Sequence, residues 1–113
     1  MMLEKPLVDH RTYTIRLRKM QEFLDIFDRM AMPILLETLG TPLGLYASQV
    51  GQLNQVVHLW AYEDLADYEE RCHKRDTHPG FPAYLAASEN LITAQENRLI
   101  KLLDLPSLRN WKP

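Results

Sequence analysis

Hydrophobic and polar residues change their spacing several times along the chain, and each change predicts a new element. Residues 8–16, VDHRTYTIR, are rich in β-branched and aromatic types and contain no Gly or Pro, which predicts a first strand. Along residues 19–39 apolar side chains recur every three or four positions, which predicts an amphipathic helix. Pro33 lacks a backbone donor and should kink this helix near Arg29. Gly40 follows it and suits a left-handed cap.

A hairpin and a second helix follow. Residues 44–50 and 55–62 are separated by a short connection that contains glycine and asparagine, which predicts two paired strands. The second of these runs, QVVHLWAY, is apolar almost throughout, which indicates burial on both faces of a sheet. Asp64 is a suitable N-cap for the next helix. The segment DTHPGFP should end that helix near residue 78.

The last third of the chain completes the fold. A shorter helical segment precedes residues 96–103, ENRLIKLL, which read as a fourth strand. The order β-α-β-β-α-β predicts an α+β fold of the ferredoxin-like type, a four-stranded antiparallel sheet with helices on one face. We expect residues 1–113 to form a single domain, with a core at about 8–103 and a C-terminal tail at 104–113. Because a third strand that is apolar on both sides would leave an apolar patch on a monomer, we expect a homodimer that packs two sheets face to face.

Composition narrows the classes of function. A chain of 113 residues suits one domain, and 46% hydrophobic with 25% charged residues is ordinary for a soluble protein. A net charge of −2 provides no basic excess for nucleic acid. No stretch approaches about 18 consecutive apolar residues, so we expect no membrane span. Met1–Pro6 lacks the apolar core of a signal peptide, so we expect none there. The single cysteine, Cys72, excludes an internal disulfide and makes the cytoplasm the expected compartment.

Polar and aromatic residues of the first and third strands form the strongest candidate site. Alternation along each strand places Arg11 with Tyr13, and His58 with Trp60 and Tyr62. We predict that Arg11 and His58 are catalytic residues, with Arg11 for a carboxylate of the ligand and His58 for a proton. We predict that Tyr13, Trp60 and Tyr62 are ligand-binding residues that form the walls of a pocket for a flat ligand. The alternative is that Trp60 and Tyr62 fill the core while Arg11 and His58 pair with each other or with carboxylates. Which faces of the two strands coincide stays open.

Other chemistries receive less support. Cys72, His73, Asp76 and His78 lie close in sequence, but zinc needs three or four converging ligands, and a buried cysteine with two surface histidines is the favoured interpretation. We therefore predict no metal site. The sequence contains no G-x-S-x-G motif, glycine-rich phosphate loop or H-E-x-x-H motif. Hydrolase, nucleotide-binding and zinc-protease functions thus have no support.

Three stretches carry a family resemblance: DHRTYTIR, LGTPLGLYASQVGQLNQVVHLWAYEDLADYEER and AQENRLIKLL, which together cover about residues 8–103. The most specific parts are residues 51–62 and the R-x-Y of the first strand. These stretches resemble the NIPSNAP family. The resemblance implies a dimeric α+β barrel, in which two ferredoxin-like units join through their sheets. Most family members have unknown biochemistry, and animal relatives are linked to mitochondria, vesicle traffic and selective autophagy as interaction proteins.

The wider barrel class that the resemblance implies includes cofactor-independent oxygenases, haem-degrading enzymes and small-aromatic binders. In those enzymes a third-strand tryptophan and a histidine of the following helix often line the pocket. Trp60 with His73 or His78 resembles that layout, which makes these histidines predicted ligand-binding residues. We predict a protein that binds, or also transforms, a small aromatic or acidic metabolite between sheet and helices without a cofactor. The competing prediction is a non-enzymatic interaction module built on the homodimer.

Overall fold

The structure is a computed structural model and describes residues 4–109 of the 113. Four strands and four α-helical segments occur along this part of the chain, together with a π-helical and a 3-10 turn. In order, they are β1 Leu7–Ile15, α1 Met20–Ile26, the π turn Phe27–Ala31, α2 Met32–Thr38, β2 Gly44–Ala47, β3 Gln55–Tyr62, α3 Leu65–Asp76, α4 Phe81–Ser88, β4 Ile92–Lys101 and the 3-10 turn Pro106–Leu108.

The four strands form one antiparallel sheet in the order β2-β3-β1-β4. This order, with helices between β1 and β2 and between β3 and β4, confirms the ferredoxin-like β-α-β-β-α-β prediction. The third strand occupies the residues predicted for it, 55–62, whereas β2 ends three residues early and β4 begins four residues early. Pairing of β4 with β1 continues back through Gln95 and Ala94 to Ile92, because tertiary pairing outweighs the weak strand propensity of a residue such as Ala94.

The long first helix changes its winding where the proline was expected to disturb it. Pro33 has no N–H to donate to the carbonyl of Arg29. The chain accommodates this defect with the π turn, in which the Met32 N–H donates to the carbonyl of Phe27. Gly40 closes the helix with a φ of 94°, which confirms the predicted left-handed cap.

The helices cover one face of the sheet, and the alternation of β3 shows which one. Val56, His58, Trp60 and Tyr62 are buried on that face, whereas Val57 and Leu59 of the opposite face are only half-buried. The core therefore lies between the helices and the first of these faces. Its buried members are Ile15, Phe23, Phe27, Ala31, Leu35, Leu39, Val56, Trp60, Tyr62, Tyr84 and Leu91.

Helix α3 lies at the margin of this core. The Asp64 carboxylate accepts a hydrogen bond from the Asp67 N–H at 2.8 Å, which confirms the predicted cap. None of its residues is fully buried, because the helix covers a side of the core and not its centre. Among residues 4–109, no helix combines the length and apolar character needed to cross a membrane.

Candidate functional site

A cavity of about 180 Å³ lies between the sheet and the helices. The sheet supplies its polar floor from β1, β3 and β4, and the long helix and α4 supply most of its apolar walls. The cavity is lined by Arg11, Tyr13, Phe27, Leu35, Leu39, His58, Trp60, Arg75, Phe81, Tyr84, Leu85, Ser88, Ile92 and Gln95.

Strand register brings the predicted polar pair together. Arg11 and His58 are direct partners across β1 and β3, so their side chains leave the sheet on the same face. Tyr13 and Trp60, each two residues further along its strand, share that face and also line the cavity. The relation between the two strand faces, which the sequence left open, is thereby settled.

The His58 ring is buried and has a defined tautomer. The Trp60 Nε1–H donates to His58 Nδ1 at 2.8 Å. Because Nδ1 is an acceptor, the proton of the neutral ring lies on Nε2. Burial, together with the positive charges of Arg11 and Arg75, lowers the His58 pKa to about 3, so the ring is neutral at physiological pH. Within the described residues, the buried Nε2 has no hydrogen-bond partner.

Aromatic rings fix the position of His58. Tyr13 lies edge-on to the imidazole with a centroid distance of 4.8 Å, and Phe27 does so at 5.6 Å. Phe27 belongs to the π turn, so the irregular winding at this point places its ring against the imidazole and on the cavity wall. A π turn at a cavity is a frequent feature of functional sites.

Arg11 is held by a carboxylate that the sequence analysis did not single out. Its guanidinium Nη1 donates to Asp9 Oδ2 at 3.3 Å, and Asn97 donates to the other oxygen of that carboxylate at 3.3 Å. Asp9 is 1% exposed, and alternation along β1 already placed it on the face of Arg11. The Arg11 Nε is also buried and has no partner among residues 4–109.

Arg75 is a second lining cation that the sequence analysis missed. It lies in the last turn of α3, donates from Nε to Asp76 at 2.9 Å, and places its guanidinium 5.7 Å from the centre of the Phe81 ring. A signal for it was present. Arg75 follows Cys72 by three residues and Tyr68 by seven, so helical spacing puts all three on one side of α3.

Three predicted ligand-binding residues lie away from the cavity lining. Tyr62 is buried against Tyr68, with ring centroids 5.2 Å apart, and burial raises its pKa. His73 is exposed on α3. His78 bridges two elements, because its Nε2 lies 3.1 Å from a carboxylate oxygen of Glu37 and its Nδ1 accepts the Gly80 N–H.

The cysteine has the surroundings of a structural residue. Cys72 is half-buried, and burial is the largest of the influences that together raise its pKa. A thiol with a raised pKa is a poor nucleophile at neutral pH. Over the described part of the chain, no three histidine, cysteine, aspartate or glutamate side chains cluster closely enough to hold a metal ion.

Solved structures resemble this fold over nearly its whole length. A NIPSNAP family protein from Agrobacterium tumefaciens is 33% identical, with a TM-score of 0.86 over 94% of this chain and 93% of that one. An uncharacterised NIPSNAP-like domain protein from Burkholderia xenovorans is 31% identical, with a TM-score of 0.82 over 97% of this chain and 91% of that one.

More distant structures share the fold alone. A protein from Nitrosomonas europaea assigned to the antibiotic biosynthesis monooxygenases has a TM-score of 0.63 at 12% identity, over 87% of this chain and 99% of that one. No curated protein matches the sequence. The family model named NIPSNAP, in contrast, matches residues 8–106. The chain belongs to the NIPSNAP family.

Proposed function

We propose that the cavity between sheet and helices binds a small aromatic or acidic metabolite. The observation that carries this proposal is the Nε2–H of His58, which lies on the cavity lining and has no hydrogen-bond partner among residues 4–109. A buried donor without a partner costs about 1–3 kcal/mol. A ligand that accepts a hydrogen bond there would recover that free energy.

The walls suit a flat ligand. Rings of Tyr13, Phe27, Trp60, Phe81 and Tyr84 line the cavity. Aromatic side chains favour edge-to-face or offset contact with another ring, worth about 0.5–1.5 kcal/mol beyond burial. The volume of about 180 Å³ fits a molecule built on one ring.

The tautomer defines how His58, which was predicted to act on a proton, would contact a ligand. Its Nδ1 lone pair is occupied by the Trp60 N–H, and its Nε2 carries the proton. The ring therefore donates a hydrogen bond to ligand oxygen, and with Arg11 it would polarise a carbonyl group or stabilise an oxyanion. Among residues 4–109, no carboxylate lines the cavity to act as a base, so we assign binding and polarisation to this site. These contacts need no cofactor.

Imidazole NMR tests this proposal directly. Full-length protein labelled with ¹⁵N-histidine should show the His58 ring in the Nε2–H form, and acetophenone should shift its Nε2 signal on binding. His58→Phe should abolish the saturable binding while retaining aromatic packing, and His73→Ala, at an exposed histidine, should not affect it. If neither acetophenone nor benzoate moves the His58 signals, the cavity is no ligand site.

A second candidate function rests on the open face of the sheet. Tyr46 is 57% exposed there and Ile100 is 39% exposed, beside the half-buried Val57 and Leu59. We propose that this face pairs with that of a second copy in a homodimer, as the dimeric barrel of the family implies, and that the dimer acts as an interaction module.

Native mass spectrometry of protein purified gently from its own host separates the two functions. A dimer that carries a stoichiometric small molecule supports the cavity as the functional site and reveals the mass of the ligand. A dimer without an adduct, combined with no response of His58 to the aromatic probes, supports the interaction module. A monomer contradicts the sheet-to-sheet association.

A further inference from the structure

We infer that the natural ligand of the cavity is an aromatic monocarboxylate whose carboxylate lies between the guanidinium groups of Arg11 and Arg75. This inference rests on the proposed function and names the chemical class of its ligand. It comes from the two arginines that line the cavity together with a neutral hydrogen-bond donor, His58.

The charges of the site leave one positive charge without a buried counterion. The Arg11 charge is balanced by Asp9, which is itself buried. The partner of Arg75 is Asp76, whose side chain is 56% exposed, whereas the Arg75 side chain is only 15% exposed. Because water screens Asp76, the cavity keeps about one net positive charge. A monoanion complements it, and a dianion would exceed it.

The arginines are restrained in a way that favours a carboxylate. Arg11 is tied through Nη1 to Asp9, and Arg75 through Nε to Asp76. The Phe81 ring lies 5.7 Å from the Arg75 guanidinium, within the range of a cation–π contact. A guanidinium held at one nitrogen keeps other N–H groups for a planar anion, and such charge-assisted bonds are about twice as strong as neutral ones.

The lining residues leave the positive charge of Arg75 available to a ligand. In the described part of the chain, no aspartate or glutamate lines the cavity to neutralise Arg75 from inside. The low pKa of His58 is consistent with this, since both arginines contribute to it after burial. The His58 Nε2–H can donate to the same carboxylate, so up to three donors would converge on two oxygens.

The test compares benzoate with acetophenone, two probes of similar shape that differ in charge. Binding to full-length protein is measured by NMR titration at neutral pH. We expect benzoate to bind at least about tenfold more tightly, because only its carboxylate forms charge-assisted hydrogen bonds with the two arginines. Arg75→Gln should weaken benzoate binding about tenfold and leave acetophenone binding unchanged.

Arg71→Gln is the matched control. Arg71 lies one turn earlier on the same helix, donates to Asp67 at 2.8 Å and does not line the cavity. Its substitution removes the same charge from α3 and should change neither affinity. If Arg75→Gln does not fold, Arg75→Lys keeps the charge, and should preserve the preference for benzoate with a weaker affinity.

The possible failures are distinguishable. Equal affinities for benzoate and acetophenone in the wild-type protein would overturn the carboxylate inference and leave the binding function standing. The carboxylate inference would also be overturned, and the binding function left standing, if Arg71→Gln weakens benzoate binding as much as Arg75→Gln does. If neither probe affects His58, both the inference and the proposed function are wrong.

Discussion

The two faces of the sheet are built from alternate residues of the same strands but differ in what covers them. On the helix-covered face, Trp60 is 0% and His58 is 2% exposed, and the buried donors Arg11 Nε and His58 Nε2 have no partner within the described residues. On the open face, Leu59 and Thr12 are half-buried and lie among threonine, glutamate and arginine side chains. One face therefore combines polar groups with burial and forms a cavity, whereas the other offers a surface for association.

The difference in packing predicts the largest mutational effect. Trp60→Ala should lower the free energy of unfolding by about 3–5 kcal/mol, because it empties a fully buried position and removes the hydrogen bond to His58. Leu59→Ala, one residue away on the open face, should cost about 1 kcal/mol in dilute protein. Urea denaturation measures both. Similar losses for the two variants would show that the faces are equally packed.

The proposed association of the open faces in a homodimer predicts the next effect. Leu59→Arg should weaken the homodimer by at least about 2 kcal/mol, or about thirtyfold in dissociation constant, because it places a charge in a paired apolar surface. Light scattering coupled to size-exclusion chromatography reports the change. Leu103→Arg, at a position that lies two residues after β4 and is 69% exposed, is the control and should remain dimeric. A wild-type protein that is monomeric and folded would refute the interface.

Burial of His58 on the helix-covered face should also make the free energy of unfolding depend on pH. At pH 5 the unfolded His58, with a pKa near 6.5, is mostly protonated, whereas the folded residue, with a pKa of about 3, is not. Protons therefore favour the unfolded state, and the free energy of unfolding should fall by about 2 kcal/mol between pH 7 and pH 5 through this group.

His58→Phe should remove that part of the pH dependence, and His73→Ala should retain it. Denaturation curves recorded at half-unit steps from pH 7 to pH 5 make the comparison. An unchanged slope in His58→Phe would mean that the folded ring accepts a proton as readily as the unfolded one.

The sequence predicted the fold well where local and tertiary preferences agree. The third strand matches because a run of β-branched and aromatic residues ends just before the Asp64 cap. The beginning of β4 was missed because Ala94 and Gln95 have weak strand propensity, and pairing with β1 decides their conformation.

The site was predictable only in part. Alternation grouped Arg11 with Tyr13 and His58 with Trp60, but the shared face depends on strand register, which no local pattern gives. Arg75 was overlooked because a charged residue at a helix end is usually solvated. The position of His78 depends on its contact with Glu37, 41 residues away in sequence. Trp111, which the sequence places in the tail, lies outside the described residues.

The smallest expected effect concerns a polar residue of the open face. Thr12 lies between Val57 of β3 and Glu96 of β4. In dilute, monomeric protein, Thr12→Val should change the free energy of unfolding by no more than about 0.5 kcal/mol, because the position reaches solvent and valine has a similar shape and strand propensity. Urea denaturation across a series of protein concentrations checks this. A loss above about 1 kcal/mol in dilute protein would show that Thr12 makes a buried hydrogen bond, and the open face would then share the polar, enclosed character that now distinguishes the cavity face.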